Sequence, residues 1–152
     1  MGGSAAAASE RQCDQAVTVS GNGLQRMESR ICAEYFPGRA SDGRIGTVVA
    51  TPDISDFWHR RDGRWYGNRS PARITASIIL MKDGVTVGDG RTVRFSTSGS
   101  AAAGTAVSFP VEFAGDYEVE AEFSLEGGYW AARDGSRIDA APRSVELIVA
   151  AP

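Results

Sequence analysis

The chain has 152 residues, 42% hydrophobic and 23% charged, with a formal net charge of −3 and a pI near 5.2. That length supports one domain with a real core, and the mild acidity gives no generic attraction to nucleic acid or to an anionic membrane. No apolar run approaches the ~18 residues that a spanning helix requires, so no membrane insertion is expected.

The N-terminal segment, rich in Ala, Gly and Ser, lacks the charged and apolar regions of a secretory signal. Residues 1–12 read as a flexible or assembly-contacting arm, because their composition offers little to pack. Residues 15–20 and 27–36 then flank Gly21-Asn22-Gly23, a strong hairpin signal. With Asn22-Gly23 as a two-residue turn, the register sets Cys13 opposite Cys32, at the ~5.5 Å spacing of facing Cα atoms that a disulfide accepts. The same register puts Val17 and Val19 beside Glu28 and Arg26 while Met27 and Ile31 lie on the other face. A three-residue turn or a bulge would repair that mismatch and displace the cysteines by one position. Two readings stand for the pair: a disulfide, implying an oxidising environment, or two buried thiols acting as small hydrophobes. Two Cys and one distant His do not make a zinc set, and no metal site is expected.

Farther on, residues 45–50 read as a short buried strand ended by Thr51-Pro52. Next comes an aromatic and Arg-rich stretch, residues 57–66, in which Asp62-Gly63 closes a type I′ hairpin. Arg61 then faces Arg64, Arg60 faces Trp65, and His59 faces Tyr66. One face presents Trp58, Arg60 and Trp65, suited to cation–π stacking; the other presents Phe57, His59, Arg61, Arg64 and Tyr66. With 15 Arg against the single Lys82, the chain is rich in the cation that stacks on rings. Such a hairpin has the composition of a binding hot spot. Tyr129 and Trp130, which follow Gly127-Gly128, could join Trp58, Trp65 and Tyr66 as a stacking platform for a glycan. The competing reading is a hairpin folded over one open end of the fold, with Arg stems covering the rings.

Runs at 74–84, 85–99 and 114–125 alternate and are joined by Asp-Gly turns, which specifies an antiparallel sandwich. Val107, Phe109, Val111 and Phe113 give the next strand one buried face, and Pro110 belongs on an edge or at an unpaired position. Tyr117, Val119, Ala121, Phe123 and Leu125 point inward. Glu118, Glu120, Glu122 and Glu126 point outward and need cations across from them, with Arg91, Arg94 or Arg143 available. A flat glutamate ladder does not converge the six to eight oxygens calcium takes, so a solvated, salt-bridged face is expected. Residues 144–149 form the closing strand.

From about Thr47 onward the chain resembles a bacterial immunoglobulin-like domain of the invasin/intimin repeat type. The resemblance rests on Val48-Val-Ala-Thr-Pro52, Ala72-Arg-Ile-Thr-Ala-Ser-Ile78, Lys82-Asp-Gly-Val-Thr-Val-Gly88, Arg91-Thr-Val-Arg-Phe-Ser-Thr-Ser-Gly99 and Ala114-Gly-Asp-Tyr-Glu-Val-Glu-Ala121. Within the last of these, Gly115-Asp116-Tyr117 looks like the tyrosine corner of immunoglobulin sandwiches. The resemblance implies an all-β, immunoglobulin-like antiparallel β-sandwich (residues 45–150); the N-terminal β-hairpin (13–40) has no counterpart in it and is read from the residues as an extra element of one domain, 13–152. The resemblance also implies a non-enzymatic module of the kind used in adhesins, secreted proteins and phage tails or capsids, with no catalytic residues and no cofactor. The residues agree. His59 is the only histidine, and no Gly-x-Ser-x-Gly elbow or phosphate-binding loop accompanies it. The expected partners are other protein subunits, by self-assembly or in a host assembly, or alternatively a surface glycan. The expected location is extracellular, on a cell surface or on a phage virion surface.

Overall fold

Strict alternation builds the two longest antiparallel pairings. In β2 (Gln25–Pro37) the odd-numbered side chains from Gln25 to Tyr35 are buried, and in β10 (Gly115–Gly127) those from Tyr117 to Leu125 are. A period of two lets each strand bury one face and wet the other. The computed structural model describes residues 9–21, 23–38, 43–67, 71–97, 101–127 and 137–151.

Two sheets result. The first runs β1 (Gln12–Val19), β2, β3 (Gly46–Arg61), and the far side of β3 is covered in turn by β9 (Val107–Val111), β8 (Ala102–Ala103) and β4 (Arg64–Gly67). The second has β10 against β5 (Ala72–Lys82) at its centre. There β12 (Arg143–Val149) and β11 (Arg137–Asp139) line the far side of β10, and β6 (Val85–Thr86) and β7 (Arg91–Ser96) line that of β5. Every pairing is antiparallel. Met27, Ile31, Tyr35, Val48 and Phe57 of the first sheet close on Ile74, Ile78, Leu80, Val119, Phe123 and Leu147 of the second in one apolar cluster. Each such side chain contributes about 1.5–3 kcal/mol by leaving water. The expected β-sandwich is the observed fold.

The β1–β2 register is the one a two-residue turn dictates, with Val19 opposite Arg26 and Cys13 opposite Cys32. The cysteines form a disulfide, and their Cα atoms are 4.1 Å apart. No bulge relieves the mismatch read from the sequence: Val17 and Val19 stay about half exposed, at 53% and 50%. Ser9, within the segment expected to be a flexible or assembly-contacting arm, is tied to the end of β2. Its N–H donates to the Tyr35 carbonyl at 3.1 Å, and its hydroxyl accepts the Tyr35 N–H at 2.7 Å. Residues 1–8 lie outside the described residues.

Tyr117 makes the corner bond expected of it, its hydroxyl donating to the Phe113 carbonyl at 2.7 Å. That bond belongs to a turn, so Phe113 does not continue the buried face of β9. Its ring is 66% exposed, because β9 ends at Val111 where its partner β3 begins at Gly46. The short strand expected at 45–50 instead continues to Arg61, straight through Pro52. The Pro52 carbonyl accepts Gly104 N–H at 2.9 Å on the side where β9 has ended and β8 begins. A strand residue's nitrogen points the same way as its carbonyl, so the missing donor falls in that break.

The glutamate row lacks the cations expected across from it. Glu118 faces Glu146 on one side and Met81 on the other, while Arg91 lies over the Phe109 ring at 4.9 Å and Arg143 reaches Asp14 at 3.9 Å. Among the described residues only Glu126 of the row meets an arginine, Arg73, at 3.9 Å.

Candidate functional site

A bulge in β3 aims the aromatic residues. From Val48 to Ile54 the even-numbered side chains of β3 face the core, but after the register shift at Glu28/Ser29 the buried residue is Phe57. Ser55 is the extra residue, and its hydroxyl donates to the Glu28 carboxylate at 2.6 Å. One inserted residue exchanges the two faces of a strand. Trp58 therefore lies on the outer face of the first sheet, where uninterrupted alternation would have buried it.

Beyond the bulge the hairpin has the pairing read from its sequence: Arg61 with Arg64, Arg60 with Trp65, His59 with Tyr66. Asp62 and Gly63 both take positive φ, 51° and 76°, as a type I′ turn demands. Trp58, Arg60 and Trp65 share the outer face. The cation that stacks there, however, is Arg26 of β2, whose guanidinium lies 5.9 Å from the Trp58 ring centroid and 5.0 Å from that of Trp65. Arg26 is directly opposite Trp58 in the ladder, and no local motif could reveal it without the β2–β3 register. The broken phase between Ile54 and Phe57 was the one signal in the sequence that a bulge intervenes.

On the other face of the hairpin Tyr66 stacks on His59, with ring centroids 5.9 Å apart and planes 27° apart. Burial, and secondarily the charge of Arg61, holds the His59 imidazole below its ordinary pKa. The hairpin's base docks on the β1–β2 turn through Arg60 N–H to the Leu24 carbonyl at 2.7 Å. Val17 and Val19 extend the outer face across β1, with Val19 opposite Arg26. The outer face thus brings Val17, Val19, Arg26, Trp58 and Trp65 together, with Glu28 and Asp56 in line with Val17. Farther along it Arg30 grips Asp53 through Nε at 3.1 Å and Nη2 at 2.7 Å. Tyr129 and Trp130 lie outside the described residues, so the wider platform expected from them has no described geometry.

Two other surface features flank the fold. A cleft of about 580 Å³ at one end is lined by Lys82, Val87, Arg91, Phe109, Phe113 and Tyr117. The outer face of the second sheet carries the glutamate row with the exposed Ile148. Among the described residues no group of three His, Cys, Asp or Glu could hold a metal ion. No protein-family model, curated protein or solved structure matches the chain.

Proposed function

We propose that the chain is a structural and interaction module, an immunoglobulin-like sandwich of the invasin/intimin kind that contacts other protein subunits on a cell or virion surface. The observation that carries this reading is the outer face of the first sheet. Two half-exposed valines on one strand adjoin the Arg26–Trp58–Trp65 row on the next three. A surface that sets exposed valines beside an Arg stacked on two Trp has the composition of a protein contact. The disulfide fits a module that works in an oxidising compartment. Glycan stacking through Trp58, Trp65 and Tyr66 is the less supported reading, since Arg26 already lies over both indoles.

Light scattering of the purified protein over a concentration range tests the contact. Self-association is expected, with a loss of mass on Val17→Glu plus Val19→Glu, changes that leave the core untouched. A strictly monomeric protein, or an assembly indifferent to those charges, counts against the outer face as the contact.

A further inference from the structure

β1 stands apart from every other long strand. None of its eight residues is buried, and the apolar core begins at Met27 in β2. Among the described residues β1 is held by the ladder to β2, the Cys13–Cys32 disulfide, partial packing of its alternate residues against β12 and β11, and one polar clasp across to the second sheet. In that clasp Asp14 accepts the Ser144 N–H at 3.1 Å and lies 3.9 Å from Arg143. Beneath β1 lies the edge of β2, a 13-residue strand paired on its other side by β3 along its whole length. Uncovered, that edge is a row of free backbone donors and acceptors, the standard template for strand addition.

We infer that β1 is an exchangeable strap: opening the disulfide releases it, and the uncovered edge of β2 accepts β1 from a second copy of this chain. The partner is specified because only another β1 brings the matching register, Cys13 opposite Cys32 and Asp14 beside Ser144. Segments with few buried apolar contacts open well below the free energy of global unfolding. Exchanging an identical element between copies makes no new kind of contact, so it costs little beyond opening the turn. The opening chemistry starts at Cys13, the exposed member, since Cys32 is 2% exposed. A thiolate of a dithiol reductant attacks Cys13 Sγ, and Cys32 leaves as thiolate. The second thiol then displaces Cys13 and closes the reductant's own disulfide, so two electrons and two protons pass to the cysteines. Reoxidation by glutathione disulfide reverses the sequence and seals whichever β1 lies on β2.

The test mixes ¹⁵N-labelled and unlabelled full-length chains, reduces them with dithiothreitol, reoxidises them with glutathione disulfide, and maps disulfide-linked peptides by mass. Heavy–light Cys13–Cys32 pairs in statistical proportion are expected, rising with concentration at the expense of the intrachain bond. In parallel, hydrogen exchange on reduced protein is expected to lose protection over Gln12–Val19 while β5 and β10 keep theirs. Only heavy–heavy and light–light pairs at every concentration, random Cys13–Cys13 pairing, or loss of protection in β1 and β10 together would each overturn the inference. It stands apart from the outer-face contact: oxidised protein that never self-associates removes that contact and leaves strand exchange intact.

Discussion

Tyr117 joins a local sequence signal to a long-range consequence. Its ring packs between the sheets and its hydroxyl fixes the carbonyl of Phe113, so one side chain both fills the core and shapes the turn entering β10. Removing the hydroxyl by Tyr117→Phe leaves the ring and orphans the carbonyl, at a cost of about 1 kcal/mol. Burial is the main cause that raises the Tyr117 pKa above its ordinary value of 10.0, against the opposing effect of the Lys82 charge. A phenol whose folded pKa is raised stabilises fully below pH 10 and loses that contribution as pH climbs through the folded value. Urea denaturation of both proteins from neutral to strongly alkaline pH is expected to show the gap narrowing above pH 10. The buried Tyr35 remains in both and cancels from the difference. The corner was legible because Gly115-Asp116-Tyr117 is contiguous and its bond reaches only four residues back. Arg26 was illegible because its stacking depends on register with a strand far downstream, where Trp58 comes to face it.

At the scale of the element, β3 shows why alternation is reliable only between irregularities. Both the first stretch of the strand and the hairpin were readable, each in its own phase, and the hairpin pairs matched residue for residue because Asp62-Gly63 admits one turn type. The Ser55 bulge that connects the phases showed in the sequence only as the broken alternation between Ile54 and Phe57, since a hydroxyl reaching the Glu28 carboxylate on another strand leaves no local motif to place it. Yet the bulge decides that Trp58 faces outward to meet Arg26. The energetic content of that meeting is a coupling, so a double-mutant cycle measures it. Arg26→Ala, Trp65→Ala and the double variant are expected to show an interaction of about 0.5–1 kcal/mol, as for a cation–π contact open to solvent. The same cycle run with Arg60 in place of Arg26 is expected to give a markedly smaller coupling, because among the described residues the guanidinium over both rings is that of Arg26. Equal couplings would mean that the hairpin's own arginine supplies the stack.

Over the whole molecule the division of labour between the sheets sets what the disulfide can do. The central pairs β2–β3 and β5–β10 carry most of the buried side chains, whereas β1 adds backbone bonds and a cross-link but no fully buried residue. The bond therefore acts chiefly on the unfolded chain, closing a loop with a sequence separation of 19. A loop of that size is worth about 3 kcal/mol in the chain-entropy account, against a total of roughly 5–15 kcal/mol for a typical domain. Losing the bond is thus expected to thin the margin without unfolding the sandwich. Cys13→Ser plus Cys32→Ser should shift the urea midpoint down by an amount corresponding to that figure, with a steeper slope because an uncross-linked unfolded chain exposes more surface. Core tryptic fragments spanning β5 and β10 should remain as resistant as in the parent. A variant that unfolds outright would place the stability of the central sheets in β1, contrary to its exposure. A variant with an unchanged midpoint would mean that the cross-link constrains nothing the hairpin turn does not already hold.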